Sequence, residues 1–264
     1  MRIQLYITAA FLLILAASCT KVIDVKTGND TGDLVIEGNV TNISGPQIIN
    51  LSTNVALSNT NTYPPVTGAT VIVQDQTGNS YPFTESPAGK YTSASFAGIA
   101  GNVYTMTVTN GAKSYTAKSS MPAVVVLDSV TSKNSLISTS DNKKQITVHY
   151  KDPGGIANQY RFVMYVNGVQ VKAVFAQDDE FNDGKYVDLD LFEDDIDVYS
   201  GNTVKIEMQS IDKAIYTYWF TLMQQGGQGP GGSVTPSNPP NNISPTTLGY
   251  FSAHTTQTIT IKVK

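Results

Sequence analysis

The sequence predicts an all-β chain built as two β-sandwich domains, with room for one short helix near 213–225. Three observations predict it. Thr, Val, Ile and Tyr number 30, 25, 20 and 14 among 264 residues, and β-branched and aromatic side chains suit a pleated, half-buried surface. Apolar and polar residues alternate over many short stretches, the period of a strand with one buried face. Turn signals separate those stretches, the strongest being Asn110-Gly111, Asp152-Pro153-Gly154-Gly155 and Asn167-Gly168. The same composition excludes other classes. Only 5 Glu argue against an all-helical chain, and 17 Lys and Arg set against 21 acids, in no cluster, argue against a nucleic-acid-binding surface. One cysteine builds no disulfide scaffold, and 41% hydrophobic residues is too many for a chain disordered throughout.

The first element is a leader. Arg2 supplies a positive charge, and residues 3–17 are apolar apart from Gln4 and Thr8. Roughly 20 apolar residues span a bilayer, so the stretch is short for an anchor and suits a secretory signal peptide over 1–18. It ends Leu15-Ala16-Ala17-Ser18-Cys19, which resembles a bacterial lipobox, with Ala16 where Leu is usual. The small residues let a signal peptidase seat the extended chain, and the Cys19 thiol accepts the lipid. The lone cysteine of the chain falls at the cleavage point. The expectation is therefore a lipoprotein acylated at Cys19, anchored to the outer membrane by its acyl chains. Residues 19–32 read as a polar tether.

Residues 33–121 read as a first sandwich of about 90 residues, the size of an immunoglobulin-like or fibronectin-like domain. Its expected strands are 33–40, 47–57, 69–74, 81–83 and the hairpin 104–118, in which Asn110-Gly111 supplies the positive-φ turn positions. Met121-Pro122 closes the block. Residues 122–264 read as a second β domain, with strands at 123–130, 145–150, 159–166, 169–175, 186–191 and 203–211. Asp212 then caps a helix over 213–225, since Ile215, Tyr216, Trp219, Leu222 and Met223 recur at helical spacing. A strand over 216–222 is the competing reading. A Gly/Pro-rich loop follows over 226–245, and strands at 249–253 and 258–263 close the second sheet.

Several separated motifs occur in order: Cys19-Thr20-Lys21-Val22-Ile23, Val35-Ile36-Glu37-Gly38, Gly68-Ala69-Thr70-Val71, Gly101-Asn102-Val103-Tyr104, Asp152-Pro153, Asp183-Gly184, and Asn242-Ile243 with Leu248-Gly249-Tyr250-Phe251. As a set they resemble the DUF4249 family of Bacteroidetes outer-membrane lipoproteins, across the whole chain after the leader. Gly201-Asn202 stands where that family usually has Gly-Asp. The resemblance implies a lipoprotein of a nutrient-scavenging bacterium, near TonB-dependent transporters. It implies no catalytic residue.

Residues 178–197 hold 10 of the 21 acids. Calcium takes six to eight oxygens, but Phe181 falls where an EF-hand loop needs a ligand. Asp188 and Asp190 alternate with Val187, Leu189 and Leu191, as on a solvated strand face. A solvated face, a calcium site and a docking patch for a basic partner all stand as readings, the first preferred. Tyr216, Tyr218, Trp219, Phe220, Tyr250 and Phe251 are read as core rather than as a sugar- or partner-stacking surface. His149 and His254 lack metal-ligand partners at short spacing, and no Gly-x-Ser-x-Gly elbow or phosphate loop is present. The expectation is no catalytic, cofactor or metal residue, and a non-catalytic binding module accessory to TonB-dependent uptake. An adhesive or structural surface module is the alternative. Residues 20–25 lack an acidic export signal, which leaves the facing side of the outer membrane open.

Overall fold

Strands form where the alternation is longest. The computed structural model describes residues 32–56, 62–135, 142–226 and 237–264. The leader, Cys19, nearly all of the tether and part of the Gly/Pro-rich stretch lie outside the described residues. The strands run β1 (Leu34–Thr41), β2 (Gly45–Thr53), β3 (Thr70–Asp75), β4 (Ser80–Glu85), β5 (Lys90–Phe96), β6 (Val103–Asn110) and β7 (Lys113–Ser120). Then come β8 (Leu127–Asn134), β9 (Lys144–Lys151), β10 (Gln159–Val166), β11 (Val169–Gln170), β12 (Phe175–Asp178), β13 (Tyr186–Leu191) and β14 (Thr203–Ile211). The helix α1 (Lys213–Gln225), β15 (Ile243–Ser244) and β16 (Leu248–Lys262) complete the order. The protein is mostly β, in large sheets, with one short helix.

Two separate cores form on one face of a continuous sheet. The first sheet region runs β16-β1-β2-β5-β4-β3-β6-β7-β15. It curls until β7 lies beside β16, where the Ala253 N–H donates to Ser119 Oγ at 2.8 Å. Ile36, Val40, Ile49, Val73, Met106, Val108 and Phe251 fill its inside. The second core lies between the three-stranded sheet β13-β9-β8 and the strands β10, β14 and the end of β16, with Val148, Tyr150, Phe162, Met164 and Ile206 inside.

The end of the chain departs from the expected division at 121/122. Residues 248–262 form one strand, where two had been expected to close the second sheet. Its first half pairs in parallel with β1, from Val35↔Leu248 to Thr41↔His254. Its second half pairs antiparallel with β14, from Ser210↔Thr255 to Thr203↔Lys262. β15 pairs with β7, so residues 243–254 complete the first sheet. The physical reason is that the period never breaks. Phe251 and Ala253 point into the first core, while Ile259 and Ile261 pack on the second. Polar residues at 254–257 hid this continuity from an apolar pattern.

The turns follow glycine chemistry with one shift. Between β10 and β11, Asn167 (φ 50°) and Gly168 (φ 85°) form the expected two-residue loop with both φ positive. Between β6 and β7, however, Asn110 pairs with Lys113, so the loop is Gly111-Ala112 with only Gly111 at φ 60°. The expected strand at 169–175 breaks into β11 and β12, both pairing with β10. β5 had no sequence signal, because its inward positions are Tyr91 and the small Ser93.

Helix, not strand, forms over Lys213–Gln225. Asp212 Oδ1 accepts the Ile215 N–H at 3.0 Å, the side-chain cap that satisfies one of the free first-turn donors. Asp212 Oδ2 accepts from Ser119 Oγ (2.5 Å) and from the Ser120 N–H (3.0 Å). Cap and tether are one carboxylate, and they fix α1 across the outer face of the sheet.

Candidate functional site

The outer face of the sheet, opposite the cores, carries the convergent polar groups. Because β10, β14, β16, β1 and β2 are adjacent, their outward residues line up in rows. One row is Arg161 on β10, Gln209 on β14 and Thr256 on β16. The other is Tyr250 on β16, Glu37 on β1 and Asn50 on β2. Helix α1 lowers Trp219 between them. The Arg161 guanidinium carbon lies 3.5 Å from the Trp219 ring centroid, a cation–π contact, and Tyr250 meets the same ring edge-on at 5.1 Å. The result is a cavity of about 580 Å³ walled by these side chains other than Thr256, with Glu207, Gln47 and His254 also on its surface.

Its electrostatics follow from desolvation. Burial pulls the Arg161 pKa below its usual value, opposed by the phenol of Tyr250 and the carboxylate of Glu207. Among the described residues Arg161 makes no ion pair, and its one hydrogen bond goes to Gln209 Oε1 at 3.2 Å. Gln209 in turn donates to Glu207 Oε1 at 2.7 Å, so the amide spaces the two charges. Glu37 opens to solvent in the concavity, yet the protein around it raises its pKa, with Arg161 lowering it in part. His254 is fully buried and neutral; burial, then Arg161, hold its pKa down at about 3. The buried Nε1–H of Trp219 has no acceptor among the described residues. Of the aromatic residues read as core, Phe251 lies in the first core, and Tyr216 and Tyr250 are buried in a cluster beneath α1 with Tyr218, Trp219 and Phe220 packed against it; Trp219 and Tyr250 also line this cavity. The signal that was available is rarity: Trp219 is the single tryptophan, and Arg161 the single arginine beyond Arg2.

The acidic run spreads over several structures. Asp188 and Asp190 lie on the outer face of β13, paired with His149 (2.5 Å) and Lys133 (2.7 Å). His149 Nε2 also meets Thr131 Oγ1 at 2.7 Å, so hydroxyl, imidazole and carboxylate stand in line across β8, β9 and β13. That order occurs in hydrolases, but here it lies across the outer face of a three-stranded sheet. Cross-strand pairing alone accounts for it. Asp197 pairs with Lys143 at 2.9 Å. A second cavity, about 760 Å³, lies between α1 and β12–β13; its walls are mainly apolar, with Phe175, Leu191, Phe220 and Met223. It is the larger of the two; Gln177, Asp178, Glu180, Asp190 and Lys213 also line it, with Lys213 Nζ 3.8 Å from Asp178 Oδ2, so its cation is already paired.

Asp179 and Asp183 do meet a third acid from elsewhere, Asp152, with one carboxylate oxygen of each within 4.8 Å of the others. Protein donors already serve all three. Asp152 accepts from Tyr160 Oη (2.5 Å) and the Gly184 N–H (3.0 Å), Asp179 from the Asn158 N–H (2.7 Å), and Asp183 from the Gly155 N–H (2.6 Å). Calcium takes six to eight oxygens, and of the three carboxylates one oxygen each is placed within reach of the others, so further oxygens would have to come from outside the trio. At matched ionic strength, calcium and magnesium are expected to raise the melting temperature equally; a calcium-specific rise saturating at micromolar concentration would refute this.

A family model described as "Domain of unknown function (DUF4249)" matches residues 20–260. The chain belongs to this family. In this DUF4249 chain the matched span includes every wall of the polar cavity. No curated protein matches significantly. Among solved structures it is similar to a DUF4785 family protein from Legionella pneumophila, at 10% identity and TM-score 0.26, covering 67% of this chain and 52% of that one. It is also similar to the adhesin InvE of Yersinia pseudotuberculosis, at 17% identity and TM-score 0.22, covering 69% and 57%. The DUF4249 chain thus spans just over half of each, and likeness at this level carries no argument about function.

Proposed function

We propose that this DUF4249 protein is a non-catalytic binding module of an outer-membrane lipoprotein, accessory to TonB-dependent nutrient uptake. In this reading a signal peptide directs export, and acyl chains on Cys19 tether two immunoglobulin-like sandwiches to the outer membrane of a Bacteroidetes cell. The observation that carries the binding role is the polar cavity on the outer sheet face, where Arg161 and Glu37 stand open to a ligand. Small-ligand sites are concavities of about 300–1,000 Å³ with a few convergent polar groups, and this one falls in that range. His254 in its wall does meet the Ser252 hydroxyl at 3.0 Å, but both residues are only 2% exposed. The apolar cavity beside α1, with Phe181 76% exposed at its rim, favours a second reading, an adhesive surface module.

The test is a detergent pull-down from purified outer membranes, run with wild type and Cys19→Ala. Wild type is expected to stay in the membrane after a high-salt wash and to bring down a TonB-dependent transporter, whereas Cys19→Ala is expected to leave the membrane. Two acyl chains anchor stably, and among the described residues no helix is long and apolar enough to cross a membrane. A Cys19→Ala protein that remains membrane-bound would sink the lipoprotein assignment. Wild type recovered without any transporter would sink the accessory role and favour adhesion.

A further inference from the structure

We infer that the cavity between α1 and strands β10, β14, β16, β1 and β2 binds a neutral polyhydroxylated ligand, a mono- or oligosaccharide. The inference deepens the binding role proposed above and rests on it. Charge removes the other classes first. The cavity carries one cation, Arg161, and two acids, Glu37 and Glu207, while His254 is neutral. An anion would be drawn to Arg161 but meets two carboxylates, and a cation drawn to the acids meets the guanidinium. A ligand with no net charge escapes both.

Hydrogen-bond inventory then selects among neutral ligands. Arg161 has five N–H donors and spends one on Gln209, and the Glu37 carboxylate accepts no hydrogen bond among the described residues. Unspent donors and unspent acceptors therefore face the same space from different strands. A hydroxyl donates and accepts at once, so neighbouring hydroxyls on one ring can take from Arg161 and give to Glu37 without importing charge. The amides of Asn39 and Asn50 add groups of the same dual character on the β1–β2 side. Trp219 and Tyr250 supply aromatic carbon surface against which ring C–H groups can pack. An apolar ligand would strip water from Arg161 and Glu37 and leave them unpaired, which is costly and gives a hydroxylated ligand its advantage.

The single tryptophan makes the site report on itself. Full chain in detergent is titrated with maltose, cellobiose and N,N′-diacetylchitobiose while Trp219 fluorescence is followed, with succinate, lysine and glutamate as charged comparators at matched ionic strength. At least one saccharide is expected to give a saturable change below about 10 mM, and the comparators none. Glu37→Ala, at a solvent-open position, and Arg161→Lys are expected to weaken that binding by about tenfold or more, since the first removes a charged acceptor and the second replaces the planar fork of donors, stacked on Trp219, by a single ammonium. Unchanged thermal unfolding of Glu37→Ala keeps the comparison free of folding effects. Saturation by charged comparators alone, no saturable saccharide response, or a response indifferent to Glu37→Ala would each overturn the inference. If saccharides fail while a transporter co-purifies, the ligand class falls and the accessory role stands; the reverse pattern separates the two the other way.

Discussion

Gly249→Ala is expected to unfold the protein, or to lower its stability by about 4 kcal/mol or more, a large share of the 5–15 kcal/mol typical of a domain. Gly249 sits in the parallel β1–β16 ladder opposite Ile36, at φ +98°. A Cβ there would lie 1.9 Å from the Ile36 carbonyl oxygen and 2.9 Å from its nitrogen. Those are backbone atoms of the partner strand, so no side chain can swing away to make room. Alanine would have to open the one parallel pairing among the described strands, at the place where the chain's end completes the first sheet. Gly201→Ala is the control. It shares the positive φ (+90°) but has open space around the added carbon, and it should cost only about 1 kcal/mol. Urea midpoints of the two variants decide the matter: equal losses would mean that the φ penalty alone operates and the close approach does not.

Gly249 also shows what a sequence can and cannot disclose. Glycine before Tyr250-Phe251 was visible, and so was the alternation on either side of it. The sequence nonetheless points that strand to the second sheet, because adjacency in sequence is the default guide to pairing and the pairing with β1 joins residues more than 200 positions apart. Local chemistry was legible throughout. Asp212 stands at the start of a helical pattern, and Asn167-Gly168 sits between two apolar runs; each does locally what its side chain allows. The cavity was not legible for the opposite reason. Arg161 follows Tyr160 and precedes Phe162, which reads only as the outward position of a strand, and Trp219 reads as the apolar stripe of a helix. Nothing short-range says that the outward face of one meets the inward face of the other. That meeting depends on Asp212 holding α1 against Ser119, a contact made only once β7 and β16 are in place.

The wild-type protein is expected to lose about 2 kcal/mol of stability between pH 7 and pH 5, and His254→Gln to lose much less over the same interval. His254 is fully buried on the cavity side of β16, with its Nδ1 3.0 Å from Ser252 Oγ. Burial first, and then the nearby positive charge of Arg161, lower its pKa from 6.5 to about 3. Below pH 6.5 the unfolded chain therefore binds a proton at this residue that the folded chain refuses. Its contribution is complete above pH 6.5 and drains away as pH falls toward 3, with a limiting slope near 1.4 kcal/mol per pH unit. The interval from pH 7 to 5 is chosen because exposed carboxylates titrate mostly below it. Glutamine keeps a polar side chain of similar reach toward Ser252 and removes only the ionisation. Parallel pH profiles of the urea midpoint for wild type and His254→Gln would show that His254 takes up protons as readily folded as unfolded. That result would also put a second positive charge beside Arg161, and with it a cavity suited to anions instead of neutral sugars.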